Sequence, residues 1–507
     1  MKRIVNSEEM KVCDQNTITH FGVPSLVLME RAALCVVQEA VKMVPAGGQC
    51  LIVCGSGNNG ADGLAIARLL YQRGYSIIVV QVPDQGKRTQ ENRLQREILE
   101  KYGILITEQM PRQIVVDCVI DALFGVGLSR APAGIYAQWI LQMNQADAVR
   151  IAVDMPSGVS SDDGTAYEPS FAADVTVTFA YQKAGQILYP GCERCGRVVT
   201  AEIGITDDSW LERRPSLFLP EPSDLGRIPP RPARSNKGSF GRVLVIAGSD
   251  GMAGAALFCA QAAYAAGCGL VKIFTCASNR IILQSALPEA LLSVYEDDLP
   301  DDSQKELLAE AIRWADVIAI GPGLGTKGRA RSMVQQTLLH ADVPVIADAD
   351  ALNIAAGQPQ LLKQSTAKLV VTPHPGEMAR LCKKQIPQIQ ERLRSTAEQF
   401  AAEYGLVCVL KDAVTVTAGP SGTFLNPSGC NAMAKGGSGD ILTGIIAGFA
   451  AQGMELQEAA YMGVYVHGLA GEAAALKKGS YSVLARDILD GTSTVLNFNQ
   501  GKNNESK

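Results

Sequence analysis

The 507-residue sequence is short of histidine, of long apolar runs and of clustered basic residues. Its four histidines argue against a histidine-rich metal site. No stretch reaches the roughly 18 consecutive apolar residues of a membrane-spanning helix, and no signal-peptide core follows the basic N-terminus. The net charge of −5 and the absence of a Lys/Arg-rich run argue against nucleic-acid and membrane partners. We therefore expect a cytoplasmic protein that binds small molecules.

Cysteine is plentiful, but its spacing does not indicate a metal or redox centre. The thirteen cysteines are scattered, and Cys50, Cys54 and Cys408 lie inside apolar runs, as reduced buried thiols do. Cys192 and Cys195 form a single C-x-x-C, and no second pair of ligands follows at zinc-site spacing. A zinc or redox role is therefore not favoured.

Length and composition predict a globular protein of more than one domain. Apolar residues make up 47% of the chain and charged residues 19%, and 507 residues are too many for one core. A proline-rich stretch at 215–232 makes a regular element implausible there. We predict an N-terminal domain over residues 1–215, an irregular linker over 216–234 and a C-terminal domain over 235–500.

The first half contains a strand, glycine loop, helix and strand in succession. A strand at 50–54 is followed by G-S-G-N-N-G-A-D-G at 55–63, a helix at 64–73 and a strand at 76–82. This order is typical of dinucleotide-binding units, so we predict a Rossmann-like three-layer α/β/α fold. The second strand ends at Gln81 and not at a ribose-binding acid, which disfavours a plain dehydrogenase.

The segment before this unit shows apolar residues at helical spacing over residues 10–45. This periodicity predicts a helix across that range.

Polar residues follow successive strands of this half. Asn59, Asp121, Asp154 and Ser157 each come after a predicted parallel strand, and such strands gather ligands at their carboxyl ends. We therefore expect the four side chains to converge. Their carboxylate, amide and hydroxyl oxygens suit a hard cation such as potassium or magnesium. The alternative is that Asp121 and Asp154 only cap turns.

The stretch K-G-G-S-G-D at 435–440 leads into an apolar helix at 441–451. A glycine loop at a helix N-terminus binds anions, and phosphate is the usual one. Asp440 could simply cap the helix. Beside a bound polyphosphate, however, a carboxylate is better explained as a base that removes a proton from an attacking hydroxyl. We therefore interpret Asp440 as a general base.

Further strands of the second half also end in polar or glycine-rich loops. This pattern predicts an α/β sheet with Gly323, Asp350, His374, Lys411 and Asp440 along one edge. A lone histidine is more often structural, but two flanking prolines restrict the backbone of His374 and favour a ligand contact. The Walker A pattern is absent, so a P-loop enzyme is disfavoured.

The first half resembles the NAD(P)H-hydrate epimerase family in three motifs: G-S-G-N-N-G-A-D-G, D-A-L-F-G-V-G-L and A-V-D-M-P-S-G. The one departure is Ala61, where the family commonly has glycine. The resemblance implies that Asn59, Asp121 and Ser157 hold a potassium ion (K⁺) and that Asp154 is catalytic. The implied binding residues for the damaged nucleotide are Asp154 with Asn58, Asn59, Gly60, Ala61, Asp62, Gly125, Val126, Gly127, Leu128, Ser129, Arg130 and Ala131.

The second half resembles the NAD(P)H-hydrate dehydratases of ribokinase-like α/β fold. The shared motifs are K-G-S-F-G-R-V-L-V-I-A-G-S, G-P-G-L-G, D-A-D-A-L-N, T-P-H-P-G-E and A-K-G-G-S-G-D. The resemblance implies Mg²⁺, ADP or ATP as co-substrate, and Asp440 as the catalytic base. The implied hydrate-binding residues are Cys268, Gly323, His374 and Asp440. The implied nucleotide-binding residues are Lys411, Asp412, Ala413, Val414, Thr415 and Gly439.

The whole chain therefore resembles the bifunctional NAD(P)H-hydrate repair enzymes. The resemblance implies that the first half interconverts the R and S forms of hydrated NAD(P)H, NAD(P)HX. The second half would dehydrate the S form at the expense of ADP or ATP, releasing AMP or ADP and phosphate. We also expect a homo-oligomer. The alternatives are a hydroxymethylpyrimidine or sugar kinase with a non-catalytic nucleotide-binding N-terminal domain, and a nucleotide sensor or scaffold without turnover.

Overall fold

The structure is a computed structural model that describes residues 1–212, 214–296 and 300–504. The chain divides into two compact units. The N-terminal unit is Arg3–Leu217, and the C-terminal unit runs from Phe218 onward and includes Met1–Lys2. Among the described residues, no helix is both long and apolar enough to cross a bilayer.

In the N-terminal unit, strands and helices mostly alternate after the first two helices, although some strands follow one another without a helix between them. The strands are β1 (Lys2–Val5), β2 (Gln49–Cys54), β3 (Ser76–Gln81), β4 (Ile106–Thr107), β5 (Cys118–Ala122), β6 (Val149–Val153), β7 (Val175–Phe179), β8 (Gln182–Lys183) and β9 (Arg197–Ala201). The helices are α1 (Ser7–Thr19), α2 (Ser25–Met43), α3 (Asn58–Gln72), α4 (Gln90–Lys101), α5 (Ile135–Asn144) and α6 (Cys192–Cys195).

The central sheet of this unit has the order β4-β3-β2-β5-β6-β7-β9, and each neighbouring pair is parallel. Side chains alternate between its faces, so Ile52 and Cys54 join a core with α1 to α4, whereas Leu51 and Val53 join a core with α5. The predicted Rossmann-like three-layer α/β/α fold is confirmed.

Two local predictions in this unit are wrong. The predicted helix over 10–45 is broken between α1 and α2, because Gly22 is left-handed (φ 73°) and Pro24 starts a new helix. The predicted loop 55–63 is largely helical, since α3 begins at Asn58. A Cβ on Gly60 would meet the Gly55 carbonyl oxygen at 2.0 Å, and one on Gly63 would meet the Ala122 side chain at 2.6 Å. These glycines therefore allow the helix to approach the sheet closely.

The elements of the C-terminal unit again alternate. The strands are β10 (Leu217–Leu219), β11 (Arg242–Ile246), β12 (Leu270–Cys276), β13 (Leu291–Tyr295), β14 (Val317–Ile320), β15 (Val345–Ala347), β16 (Leu369–Val371), β17 (Val407–Leu410), β18 (Thr415–Gly419) and β19 (Gly422–Asn426). The helices are α7 (Ala253–Ala265), α8 (Arg280–Ala286), α9 (Asp301–Trp314), α10 (Arg329–His340), α11 (Asp350–Gly357), α12 (Gln360–Gln364), α13 (Pro375–Cys382), α14 (Ile386–Gln390), α15 (Leu393–Tyr404), α16 (Ser438–Ala451), α17 (Leu456–Lys478) and α18 (Ala485–Asn504).

Its sheet has the order β13-β12-β11-β14-β15-β16-β17-β18-β19. The strands are parallel from β13 to β17, and β18 and β19 continue the sheet antiparallel. Helices α7, α16 and α17 cover one face with small and branched apolar residues. The carboxyl ends of β14 to β17 meet at one edge, and the loops that follow them form the site described below.

The proline-rich stretch is not devoid of regular structure, contrary to the prediction. It contains β10 and a 3₁₀ helix, Pro222–Arg227. The strand is possible because its three residues include no proline, and Pro222 occupies the first helical position, where its missing N–H is not needed.

Candidate active sites

The first candidate site lies at the edge of the N-terminal sheet, where α3 begins. A cavity of about 420 Å³ opens there. Among the predicted substrate-binding residues, Asn58, Asp62, Val126 and Asp154 line it. Asn59, Gly60 and Ala61 lie in the same first turn of α3. The cavity is therefore bounded by α1 and α2 on one side and by the start of α3 and the loops after β5 and β6 on the other.

Asp154 follows β6 directly and is fixed by a buried lysine. Its backbone is left-handed (φ 67°) and its side chain is nearly buried. The Asp154 Oδ1 atom accepts a hydrogen bond from Lys183 Nζ at 2.5 Å and one from Thr178 Oγ1 at 3.2 Å. Lys183 was not predicted from the sequence. In the sequence, Lys183 is a lysine next to an apolar strand, and many exposed lysines have the same surroundings.

Other carboxyl groups face the same cavity. Burial, with the charges of Asp154 and Asp14, raises the pKa of Asp62 well above its usual value. Burial, with Asp154 and Glu91, likewise raises the pKa of Asp14. The cavity therefore combines carboxyl groups of raised pKa with one carboxylate paired to an ammonium, which is an arrangement suited to moving protons.

The loop after β5 runs along one side of this cavity. The position of a Cβ on Gly125 is 3.1 Å from Asn59 Oδ1 and 3.3 Å from Asp154 Oδ2, so those side chains flank the glycine. Farther along the predicted binding loop the chain is more exposed, and that part comprises Gly127, Leu128, Ser129, Arg130 and Ala131. Their assignment to the substrate stays a prediction.

Two of the three predicted potassium ligands contact each other. Asp121 Oδ1 accepts a hydrogen bond from Ser157 Oγ at 2.7 Å, and Oδ2 accepts one from Ser157 N at 2.7 Å. Burial raises the pKa of Asp121 to about 6 despite these bonds. The third predicted ligand, Asn59, has a buried Nδ2 without a hydrogen-bond partner. Within the described part of the chain, no cluster of three or more His, Cys, Asp or Glu residues could hold a metal.

The second candidate site lies at the N-terminus of α16. Gly437 precedes the helix in the left-handed conformation (φ 92°), and Asp440 lies in the first turn. The position of a Cβ on Gly439 is 3.4 Å from Lys411 Nζ and 3.8 Å from Asp348 Oδ2. The structure therefore brings the glycine loop, Asp440 and Lys411 together at the edge of the C-terminal sheet.

Asp348 joins these groups, although the sequence analysis chose its neighbour Asp350. Asp348 is buried, and its Oδ1 accepts hydrogen bonds from Lys411 Nζ at 2.9 Å and Thr372 Oγ1 at 2.7 Å. Its Oδ2 accepts one from Thr443 Oγ1 at 2.9 Å. Asp350 instead accepts a bond from Gly325 N at 2.8 Å and so fixes the G-P-G-L-G loop. Both acids belong to D-A-D-A-L-N, and only the fold distinguishes them.

Burial and neighbouring charges shift the pKa values at this site in opposite directions. Burial raises the pKa of Asp440 to about 7, with a further contribution from Asp348 that Lys411 partly offsets. Burial favours neutral Lys411, but Asp348, Glu377 and Asp440 together outweigh it and raise the pKa of the ammonium. Asp440 is thus a carboxyl group poised near neutral pH beside a lysine that stays charged, as a general base for a phosphoryl acceptor requires.

His374 caps α13 at the same edge. Its Nδ1 accepts a hydrogen bond from Gly376 N at 3.0 Å, and its own N–H donates to Glu377 Oε2 at 2.9 Å. Burial and the charges of Lys411 and Arg380 lower the pKa of His374. The ring is half exposed, so a ligand can reach it, and its Nε2 lies 3.5 Å from Glu377 Oε1.

Another histidine at this site was missed by the sequence analysis. His467 on α17 is buried, and its Nε2 lies 3.2 Å from Ser438 Oγ in the glycine loop. Burial lowers the pKa of His467 to about 4, so the ring is neutral. Its only sequence signal is a polar residue on an otherwise apolar helix.

The remaining predicted residues are Gly323, assigned to the hydrate, and the stretch 412–415, assigned to the nucleotide. Gly323 is left-handed (φ 58°), and its carbonyl accepts a hydrogen bond from Ser249 Oγ at 2.9 Å. The predicted nucleotide-binding stretch is the turn from β17 to β18, where Asp412 and Ala413 are exposed and Val414 is buried. Thr415 is the first residue of β18.

The prediction for Cys268 is wrong. Cys268 precedes β12 and therefore lies at the amino end of the sheet. The preceding carbonyl, of Ala266, accepts a hydrogen bond from Gln452, which follows α16 at its far end. Since α16 has 14 residues, that end is about 20 Å from the turn that carries Asp440.

Comparisons with known proteins agree with the two-unit architecture. A profile described as NAD(P)H-hydrate dehydratase matches residues 243–493, and one described as YjeF-related protein N-terminus matches residues 25–185. The bifunctional NAD(P)H-hydrate repair enzyme Nnr of Moorella thermoacetica is 38% identical over 96% of this chain and 95% of its own length. The Escherichia coli enzyme of the same name is 34% identical over 94% and 90%.

One solved structure shows the fold of the C-terminal unit. It is a ribokinase-like superfamily protein from Enterococcus faecalis that is 30% identical, with a TM-score of 0.50. The match covers 56% of this chain and 96% of the other. The predicted ribokinase-like α/β fold is confirmed.

Proposed function

The chain belongs to the family of bifunctional NAD(P)H-hydrate repair enzymes, and on that basis we propose which side chains perform its two reactions. The enzyme epimerises the R and S forms of NAD(P)HX in its N-terminal half. It dehydrates the S form to NAD(P)H in its C-terminal half at the expense of ADP or ATP. A small-molecule kinase is set aside, because the relatives that align over nearly the whole chain are repair enzymes.

One observation carries the assignment of the dehydratase site. Asp440 lies in the first turn of α16, directly after a glycine loop that brings backbone N–H groups, Lys411 and Asp348 to the same point. The helix N-terminus suits the terminal phosphates of the nucleotide. The Asp440 carboxylate then lies where an alcohol would attack that phosphate, and burial brings its pKa to about 7, close to the working pH of a base.

The dehydration then proceeds in two stages. Asp440 takes the proton of the ring hydroxyl as its oxygen bonds to the terminal phosphorus of ADP or ATP, and AMP or ADP leaves. The carbon–oxygen bond next breaks with release of phosphate, and loss of a proton from the neighbouring carbon restores NAD(P)H. Lys411 and the amides of the glycine loop stabilise the transferring charge, each donor contributing up to about 3 kcal/mol.

Magnesium fits this site only together with the nucleotide. The oxygens of Asp348 already accept hydrogen bonds from Lys411, Thr372 and Thr443. Mg²⁺ commonly takes most of its ligands from phosphates and water, with one or two carboxylates. Phosphate oxygens of the nucleotide and water would therefore hold the ion, which would neutralise charge on the phosphoryl group, and Asp440 would stay free to act as the base.

In the epimerase site we assign the proton transfer to Asp154. Asp154 takes the proton of the ring hydroxyl as the bond between the hydroxyl-bearing carbon and the ring nitrogen breaks, and it passes the proton to the nitrogen, which leaves an open aldehyde with a planar carbon. When the nitrogen adds to the opposite face of the aldehyde, Asp154 takes the proton back and returns it to the oxygen, which gives the other epimer. Asn58, Asp62 and Val126 would bind the hydrate, because they line the same cavity as Asp154.

Potassium fits the neighbouring pair of Asp121 and Ser157. Their oxygens lie 2.7 Å apart, and the amide oxygen of Asn59, which flanks Gly125, would be the third ligand. A monovalent cation there would supply a fixed positive charge that keeps Asp121 ionised.

The proposed function is tested with the purified chain, both NAD(P)HX epimers, Mg²⁺, and ADP or ATP. The absorbance of reduced nicotinamide should rise with the S epimer at once and with the R epimer after epimerisation. Inorganic phosphate should appear in equal amount. A phosphorylated product that persists would instead indicate a kinase, and binding without turnover would indicate a sensor.

A further inference from the structure

Lys183 is a fully buried lysine whose ammonium group is saturated with hydrogen bonds. Nζ donates to Asp154 Oδ1 at 2.5 Å, to Thr178 Oγ1 at 2.8 Å and to the Phe179 carbonyl at 3.1 Å. A lysine ammonium has three donor hydrogens, and each has an acceptor here. Lys183 therefore has no hydrogen left for a substrate, although it lines the cavity.

The bonds to Asp154 use only one of its two oxygens. Oδ1 accepts from Lys183, from Thr178 Oγ1 and from Phe179 N at 3.4 Å. Among the described residues, none donates a hydrogen bond to Oδ2. Oδ2 faces Gly125 instead, in the loop that borders the cavity. The geometry thus separates an anchored oxygen from an available one.

The backbone on both sides of this contact is held in a left-handed conformation. Asp154 has φ 67° and Ala180, between Thr178 and Lys183, has φ 57°. This conformation is unfavourable for non-glycine residues and persists where the surrounding structure requires it. The strained turns bring the lysine and the carboxylate together.

Several other charged side chains surround Asp154. Asp62 on α3 and Asp14 on α1 face it, with Glu91 on α4 beyond Asp14. Lys11 on α1 also lines the cavity. Among the described residues, however, only Lys183 forms an ion pair with Asp154.

We propose that Lys183 is a positioning residue for the epimerisation, because its anchored ammonium holds Asp154 Oδ1 and directs Oδ2 toward the hydrated ring. This inference rests on the proposed epimerase role of Asp154. Lys183 itself neither binds the substrate nor transfers a proton. Its loss should therefore affect the chemical step much more than substrate binding.

The test is Lys183→Met in the full-length enzyme, a change that keeps the length and apolar stem of the side chain. We expect kcat for epimerisation to fall by about a hundredfold while KM changes less than about threefold, as for a lost positioning contact. Thr178→Val, which removes one bond to each partner, should lower kcat by about fivefold with KM again nearly unchanged.

Lys42→Met is the matched control, since Lys42 also pairs with a carboxylate at 2.5 Å, Glu39 Oε1, but on the surface of α2. It should epimerise like the wild type. Dehydration of the S epimer by each variant gives the amount of active enzyme, and the melting temperature reports folding. If Lys183→Met does not fold, the kcat and KM of Thr178→Val for epimerisation test the proposal.

The outcomes separate the inference from the function on which it rests. A wild-type enzyme that dehydrates but does not epimerise would refute the proposed epimerase role. Wild-type epimerisation with an unchanged kcat in both variants would overturn the role of Lys183. So would a rise in KM with kcat retained, because that pattern indicates substrate binding.

Discussion

At the scale of single residues, function depends on carboxyl groups whose surroundings set their charge. Asp440 is buried beside Asp348 and Lys411, and Asp154 is anchored by Lys183. Burial raises the pKa of Asp440 far enough for its carboxylate to accept a proton near neutral pH, whereas an exposed carboxylate is too weak a base. The two acids differ in how they are held, and each therefore needs its own test.

The first test is Asp440→Asn. We expect dehydration to slow by at least about a hundredfold while the affinity for ADP or ATP is retained, because only the base is lost. The rate with the S epimer and a nucleotide titration measure the two effects. Asp301→Asn is the control, since Asp301 also lies in the first turn of a helix, α9. Near-normal turnover of Asp440→Asn would refute the assignment.

The pH dependence of dehydration gives a second test at this scale. Burial raises the pKa of Asp440 to about 7, so the carboxylate form is lost as the pH falls through that value. Only this form accepts a proton. We therefore expect kcat/KM to be constant above about pH 8 and to fall about tenfold per pH unit below about pH 6. A profile that is flat from about pH 5 to 8 would exclude Asp440 as the base.

At the scale of elements, glycines determine how closely the functional helices approach their neighbours. A Cβ on Gly444 of α16 would meet the Cys259 carbonyl oxygen of α7 at 2.1 Å, and one on Gly448 would meet that of Ala263 at 2.6 Å. The two helices therefore pack backbone to backbone. This contact fixes the start of α16, and with it the position of Asp440.

Gly444→Ala should consequently destabilise the C-terminal unit by about 1–3 kcal/mol through overpacking. Gly254→Ala is the matched control within α7, because a Cβ there has no atom within 4 Å. It should be neutral or stabilise the unit by about 0.5 kcal/mol through helix propensity. Denaturant unfolding measures both variants. Equal stabilities would show that α7 and α16 can separate at little cost.

At the scale of the whole molecule, the two candidate sites belong to separate compact units with separate cores. Every charged contact described for Asp154 comes from the N-terminal unit, and every one described for Asp440 comes from the C-terminal unit. The two reactions should therefore fail independently.

Asp154→Asn is expected to abolish epimerisation and leave dehydration of the S epimer within about twofold of the wild type, because it removes a group from one site only. Supplying pure R and pure S hydrate in parallel measures this. The R epimer should then remain unconverted even with ADP or ATP in excess. Loss of both reactions would show that the two halves are not separable.

The sequence alone determined the order of the functional loops along the chain. It shows which loops carry glycine, which carry a carboxylate, and which family motifs they form. Glycine loops, strand-end acids and their spacing are local features, so Asp154, Asp440, Asp121 and Ser157 could be identified from them. The start of α3 could not be predicted, because the sequence does not distinguish glycines that allow a helix to pack closely from glycines in a turn.

Only the tertiary structure decided which side chains work together. Lys183 lies 29 residues from Asp154, and Lys411 lies 63 residues from Asp348. Such pairs depend on which strands become neighbours and on the burial that makes an ion pair necessary, and neither leaves a local pattern. Cys268 differs from these cases, because it precedes β12 and so lies at the amino end of a parallel strand, whereas ligands gather at the carboxyl ends.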